Sequence, residues 1–231
     1  TEIGIKKMKD IYTKICKKIY IVDKIEIAEA AKIIENIQRD INIAYFNNLT
    51  QIFTKLKIDP MEIFKAASTK WNFINMKPGL VGGHCIPVDP YYFHNLLKQR
   101  KIKSNFLISG RKINENFKYL VIKKLENIIK ENFSNKKINI IFLGLTYKPD
   151  VPDFRNSKSL EIFKYFKKKM KKKVFAFDPY LKPNNSEFLS EKEFIKKSKD
   201  AKVIVKLVDH NYFKKEKFKK VIKFNTLISN F

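Results

Sequence analysis

The chain is 231 residues long, 44% hydrophobic and 13% aromatic, which suits one large or two modest domains with real cores and excludes disordered, collagen-like and low-complexity classes. Its 49 basic against 23 acidic residues give a formal charge of +26, yet arginine occurs only at 39, 100, 111 and 155. Base and phosphate readout favour arginine's planar fork, so a solvated lysine surface is expected and not a nucleic-acid partner. Two cysteines, Cys16 and Cys85, exclude a disulfide framework and point to a reducing, cytoplasmic setting, and no apolar run approaches the ~18 residues of a membrane span.

Helical spacing predicts a first helix over 5–18 (Ile5, Met8, Ile11, Ile15), followed by a short extended run at Tyr20-Ile21-Val22. A long helix is expected from about 24 to 56, with Ile27, Ala30, Ile34, Ile37, Ile41 and Ala44 along one stripe. Asp59-Pro60 starts a shorter helix over 61–67, proline being suited to the first turn. Residues 68–90 carry Pro78, Gly79, Gly82, Gly83, Pro87 and Pro90 and read as one long loop, a length that is usually functional. Helices resume over 91–100 and 106–132. From Lys137 the rhythm becomes strand–helix: strands at 138–145, 174–177 and 203–208, helices at 157–170, 187–197 and 211–219, and a last strand near Val221. That alternation predicts an α/β fold with a parallel sheet, whose ligands bind beyond the carboxyl ends of the strands.

The chemistry concentrates in Pro78-Gly-Leu-Val-Gly-Gly-His-Cys-Ile-Pro-Val-Asp-Pro90. Paired glycines let a backbone approach a ligand closely, and a cysteine after such a turn, with Asp89 four positions on, suits a nucleophile beside a carboxylate that positions water. The same residues also read as a structural turn around an ordinary buried cysteine. A metal set of His84, Cys85 and His94 is the weakest of the three readings, because zinc sites want three or four suitably spaced ligands.

This loop, preceded by Thr69-Lys-Trp-Asn-Phe73 and followed by Tyr91-Tyr92, resembles the nucleotide-sugar 6-dehydrogenases of the UDP-glucose/GDP-mannose dehydrogenase family, and within them the bacterial branch acting on UDP-N-acetylhexosamines. Residues 28–36 and 38–44 resemble that family's central helix, and 143–157 (Leu-Gly-Leu-Thr-Tyr-Lys-Pro-Asp-Val-Pro-Asp-Phe-Arg-Asn-Ser) the opening of its C-terminal domain. The resemblance implies an NAD-dependent double oxidation of a primary alcohol to a uronic acid. Cys85 matches the nucleophile, Lys32 and Asn36 the pair that steadies the oxyanion, and Asp89 the residue that orients water. Gly79, Gly82 and Gly83 match the loop over the substrate, and Lys70 a basic residue offered across a subunit boundary. Tyr147 and Lys148 match a substrate-binding pair, and Arg155 a cofactor contact. No metal is implied.

The substrate implied is UDP-GlcNAc, UDP-GalNAc or UDP-ManNAc, for surface polysaccharide synthesis, with a homodimer formed through the middle domain. Two departures stand out: Asn48 replaces the family's usual Glu after Asn47, and the ending Lys-Phe-Asn-Thr-Leu-Ile differs from the usual one. The family's Gly-x-Gly-x-x-Gly dinucleotide motif is absent from these residues. The expected organisation is therefore a remnant of an N-terminal NAD domain over 1–24, a helical middle domain over 25–118 and a Rossmann-like UDP-sugar domain over 119–231, the active enzyme requiring the N-terminal NAD domain. The alternative is a non-catalytic fragment that keeps dimerisation or sugar-nucleotide binding.

Overall fold

The computed structural model describes residues 1–133, 138–170, 173–183 and 187–215, with the backbone of one further strand at 226–228. The chain forms two compact units, Thr1–Glu35 and Asn36–Phe231.

In the first unit, helix α1 (Glu2–Tyr12) starts on Thr1, whose hydroxyl accepts from the Gly4 N–H at 3.3 Å. The expected helix to residue 18 stops early. Thr13 donates its hydroxyl to the Asp10 carbonyl at 3.1 Å, a local bond that competes with helix propagation, and Ile15 falls in a turn. The run Tyr20-Ile21-Val22 forms no helix and joins no sheet among the described residues. No residue of α1 is buried.

Helix α2 (Ile25–Lys55) matches its expected length, but its buried face in the second unit is partly polar: Asn36, Asp40, Asn47 and Thr50 alternate with Ile37, Ala44 and Phe46. Ile27 and Ile34, expected on the apolar stripe, are exposed. Helix α3 (Pro60–Ala67) has the expected start, Asp59 accepting from the Met61 N–H at 2.8 Å. Helices α4 (Asp89–Gln99) and α5 (Phe106–Phe133) follow. Gly110 lets α5 close on α2, since a Cβ there would lie 2.6 Å from Ile41 Cδ1. Helix α5 runs unbroken across residues 118 and 119.

Four parallel strands, β1 (Ile140–Leu143), β2 (Val174–Phe177), β3 (Val203–Lys206) and β4 (Thr226–Ile228), form a sheet in the order β2-β1-β3-β4. Central β1 is buried on both faces, which is why its sequence is an unbroken apolar run. Ile140 and Phe142 join Phe117, Val121 and Leu125 of α5 and Phe163 and Phe166 of α6 (Lys158–Met170). Ile141 and Leu143 face Phe177, Phe194 of α7 (Glu191–Ser198) and Phe213. Of the expected helix at 211–219, the described residues form a 3-10 turn, Asn211–Lys214; residues 216–219 and Val221 lie outside the described residues, and the last described strand is β4.

Because β2 and β3 flank β1 on opposite sides, the chain diverges at the carboxyl end of β1, the position where sheets of this kind bind ligands. Gly144 (φ +76°) makes the exit, in a conformation that L side chains rarely adopt and with Val208 too close for a Cβ. Asp178, after β2, then organises the following loop. Its Oδ2 accepts from the Leu145 N–H (2.6 Å), the Thr146 N–H (3.2 Å) and His210 Nε2 (3.2 Å), and its Oδ1 from the Tyr180 N–H (2.9 Å). The Asp150 N–H donates to His210 Nδ1 at 2.9 Å, which places the proton of a neutral His210 ring on Nε2, facing Asp178.

Burial alone would raise the Asp178 carboxyl, but hydrogen bonds from His210 and from the Leu145 and Tyr180 backbone outweigh it and hold the group below its ordinary 3.8. A carboxyl with a lowered folded-state pKa contributes stability that is complete above the unfolded value and is lost as pH falls through the folded one. Asp178→Asn is therefore expected to lower stability near neutral pH by about 1–3 kcal/mol, with a gap to the parent that narrows as pH drops below ~4. Thermal melts of both proteins from pH 7 to 2.5 measure this; a constant gap would contradict the assignment.

Candidate functional site

Residues 68–88 contain no helix or strand, yet the segment is tied down at two points. At the first, the Asn47 carboxamide clamps Gly79, its Oδ1 accepting from the Gly79 N–H (2.8 Å) and its Nδ2 donating to the Gly79 carbonyl (3.0 Å). At the second, the Gly83 N–H donates to the Arg155 carbonyl (2.9 Å), and Asn156 Nδ2 donates to the Gly83 carbonyl (2.8 Å). Tyr147 lies flat against this glycine pair. A Cβ at Gly82 would sit 2.8 Å from Tyr147 Cβ, and one at Gly83, where φ is +91°, would sit 2.8 Å from the ring. Both glycines are required by close approach, and the Cys85 loop is thereby joined to the segment that follows β1.

Cys85 is half-buried and reduced. Its carbonyl accepts from the Val88 (3.0 Å) and Asp89 (2.9 Å) N–H groups, so the nucleophile candidate lies one turn ahead of α4, with Asp89 as the first residue of that helix. Asn36 Nδ2 donates to Asp89 Oδ2 at 2.6 Å, and Arg39 Nη2 donates to Asn36 Oδ1 at 2.7 Å. The structure thus brings Asn36 and Asp89, 53 residues apart, into direct contact. Lys32 lies one turn earlier on α2 and is exposed; it belongs to the first compact unit. Lys70 is exposed in the turn after α3, and its side chain forms no hydrogen bond or ion pair among the described residues. Asn48, which departs from the family pattern, is also exposed.

On the C-terminal side, Tyr147 is half-buried and Lys148 is exposed, its Nζ 5.5 Å from the centre of the Tyr147 ring. Arg155 is committed to Asp153: Nε donates to both carboxylate oxygens (3.1 Å each) and Nη2 to Oδ2 (2.6 Å). Those bonds pull the Asp153 carboxyl down to about 2 and raise the Arg155 guanidinium. Cys85 and Tyr147 are also within electrostatic range of Arg155, and His84 Nδ1 lies 3.7 Å from Asp153 Oδ2. The residue matched to a cofactor contact is joined through its carbonyl to Gly83, two residues before Cys85. Beyond β1 and β3, a cavity of about 350 Å³ opens between Leu80, Tyr147, Lys148, Ser159, Lys206 and Asp209. Its wall joins the Cys85 loop to the strand ends, with two ammonium groups at the rim.

Several residues that build this site escaped the sequence reading. Asp40 and Asn47 fall at helical spacing with Asn36, already matched from the resemblance, on the buried face of α2, a polar line that the apolar stripe alone does not reveal. Asn156, Asp178 and His210 gave no local signal, because their partners are 73, 33 and 32 residues away.

Two family models match the chain: the central domain of the UDP-glucose/GDP-mannose dehydrogenase family over residues 26–116, and the UDP-binding domain of the same family over 141–228. Among curated relatives, the protein CapL of Staphylococcus aureus is 43% identical over 160 residues, covering 68% of this chain and 38% of the relative. UDP-N-acetyl-D-glucosamine 6-dehydrogenase of Salmonella typhi is 40% identical over 163 residues, covering 70% and 38%. The solved UDP-N-acetyl-mannosamine dehydrogenase Cap5O of Staphylococcus aureus superposes with a TM-score of 0.75 at 30% identity, covering 95% of this chain and 50% of that one. The chain spans about two fifths of the length of those two relatives. With both models matched in order over most of its length, the chain belongs to the UDP-glucose/GDP-mannose dehydrogenase family.

Proposed function

We propose that this chain supplies the nucleophile and the sugar-nucleotide seat of a dehydrogenase that converts the C6 alcohol of a UDP-N-acetylhexosamine to a uronic acid, in the synthesis of a surface polysaccharide. The observation that carries this reading is the Asn36–Asp89 hydrogen bond beside Cys85, on a loop pinned to the cavity at the end of the sheet. The Cys85 thiolate adds to the C6 aldehyde, forming a C–S bond and an alkoxide. The Asn36 amide has two N–H donors and Asp89 takes one, which leaves the other for that oxygen; the resemblance matches Lys32 to the same task. Once the adduct is at the acyl level, Asp89 orients a water that cleaves the thioester and releases the thiolate, a good leaving group near neutral pH. In the cavity, Lys148 faces the pyrophosphate as a point charge, and Tyr147 and the Gly79–Gly83 backbone close over the sugar.

NAD, the cofactor that the resemblance implies, would accept the two hydrides when bound. The described residues do not by themselves fit a dinucleotide: Arg155 is the single residue matched to it, and its guanidinium is already held by Asp153. The steps assigned to this chain are accordingly those of its thiol, amide and carboxylate. The homodimer reading rests on exposed apolar side chains in and around the middle segment, Trp71 (95% exposed), Ile74 and Phe106, which a second copy would cover while taking Lys70 toward its own site. The absence of a dinucleotide seat among the described residues also favours a second reading, sugar-nucleotide binding without turnover by this chain on its own.

Joined to the N-terminal half of a relative, the chain is expected to form uronic acid, and Cys85→Ser to lower kcat by about a thousand-fold or more, while Cys16→Ala leaves it unchanged. Acid formation retained in Cys85→Ser would rule out the nucleophile. For the chain alone, Lys148→Ala is expected to weaken UDP binding about ten-fold, or ~1.4 kcal/mol, and to flatten its salt dependence. Calorimetry giving equal affinities would remove Lys148 from the site, and equally tight binding of random duplex DNA would favour a basic binding module. Mixed with UDP-GlcNAc and NAD+, the chain alone is expected to leave the absorbance of the reduced cofactor flat; turnover that Cys85→Ala abolishes would place a cofactor seat within these residues.

A further inference from the structure

The Asn47 clamp on Gly79 is the outer end of a buried polar chain whose orientation is fixed link by link. Asn47 Oδ1 must face the Gly79 N–H, so its Nδ2 faces the Gly79 carbonyl and also donates to Asn114 Oδ1 at 2.8 Å. Asn114 Nδ2 then points at Asp40, donating to its carbonyl (2.9 Å) and to Oδ1 (2.7 Å), oxygens that can only accept. Asp40 is in turn paired with Arg111, whose Nη2 reaches Glu115 at 2.6 Å. Glu115 binds Lys158 at 2.6 Å. Lys158 opens α6, three residues after Arg155, whose carbonyl receives the Gly83 N–H. Asp40, Asn47, Arg111 and Asn114 are fully buried. Flipping either amide would set donor against donor and acceptor against acceptor, at sites where no water can repair the loss.

We propose that Asn47, oriented by Asn114 and the Asp40–Arg111 pair, is a positioning residue for the reaction: it fixes the Gly79 end of the loop, while the Gly83 end is fixed from the far end of the same network, so that Cys85 is presented at one height above the cavity. This rests on the reading of Cys85 as nucleophile. Asn47 touches no substrate in this scheme. It acts on the thiol through six residues of irregular backbone; without the clamp, the bonds of Gly83 to Arg155 and Asn156 and of the Cys85 carbonyl to the start of α4 would remain, but the Gly79 side of the loop would lose its hydrogen-bonded anchor.

The test uses the chain as it stands. The rate of Cys85 alkylation by iodoacetamide is measured peptide by peptide, with exposed Cys16 as the internal reference. Asn47→Ala is expected to raise the Cys85 rate relative to Cys16 about ten-fold by local opening of the loop. Leu125→Ala, a core truncation beneath the sheet chosen to match the loss in Tm, is expected to leave that ratio unchanged. An unaltered ratio in Asn47→Ala, or an equal rise in Leu125→Ala, overturns the positioning role. If Asn47→Ala fails to fold, Asn114→Ala carries the same expectation, because it leaves the clamp in place but unoriented. The two readings fail separately: acid formation by Cys85→Ser in the joined enzyme would remove the nucleophile, whereas an unmoved alkylation ratio would remove only the clamp.

Discussion

The pair that the rest of this structure depends on is Asp40 with Arg111, a carboxylate and a guanidinium with no exposed surface between two helices. Burial pushes the Asp40 carboxyl up, and Arg111 and Asn114 pull it back. The compensation is incomplete, since Asp40 Oδ2 and Arg111 Nε have no hydrogen-bond partner among the described residues. A pair of this kind contributes little net stability compared with apolar residues of the same shape, yet losing one partner strands a buried charge at about 3–5 kcal/mol. What it supplies is direction. A Leu pair would hold α2 and α5 together equally well, but it would not determine which way Asn114 faces, and so would not determine whether Asn47 can grip both the donor and the acceptor of Gly79.

The second half of the site is built by the same means on different elements. Asp178 gathers the N–H groups at the end of β1 as Asp40 gathers the amides between the helices, and His210 extends its reach to Asp150. The two assemblies meet where Gly83 bonds to Arg155 and Asn156. Asn156 adopts φ +52° there, a left-handed conformation that asparagine tolerates better than most residues. The junction is all backbone and amide, so its geometry is set by fixed peptide dimensions and not by mobile side-chain ends. That suits a site in which the thiol comes from one segment and the nucleotide seat from another.

How much of this the sequence disclosed follows from the range of each interaction. Strands β1 to β3 and helices α2 to α6 were legible because their signals are local: apolar runs, helical spacing, Asp59-Pro60 at a helix start. The early end of α1 was not, because the apolar spacing runs on to Ile15 while residues 13–15 form turns. The Gly-Gly-His-Cys loop announced itself as chemistry, and Asp89 was legible from its spacing to Cys85. The Asn36 contact to Asp89 could be named only from the resemblance, since nothing near residue 36 says what lies 53 positions on. Arg155 shows the converse limit: its type and place match the motif, but its commitment to Asp153 depends on how the segment folds back.

The charge of +26 bears on function differently from the way it first suggests. Much of the lysine in the second unit is solvated or tied locally, as in Lys118–Glu161, Lys169–Glu126 and Lys206–Asp209. Together these charges make a positive field that draws any polyanion toward the surface and speeds encounter, but the field is screened within ~8 Å at physiological salt and does not discriminate. Discrimination must come from the few groups whose position is determined. At the cavity, Lys206 is half-buried at the end of β3 and neutralised by Asp209 at 2.8 Å, while Lys148 stands exposed over the Tyr147 ring with no carboxylate partner among the described residues. Under the proposed function, a ligand with two phosphate groups and an uncharged sugar would set its charge at Lys148 and its sugar toward the glycines and Cys85, which such an asymmetric rim suits. A continuous polyanion would gain no more there than elsewhere on the lysine surface, because among the described residues of the rim Lys148 alone offers an ammonium without a carboxylate partner.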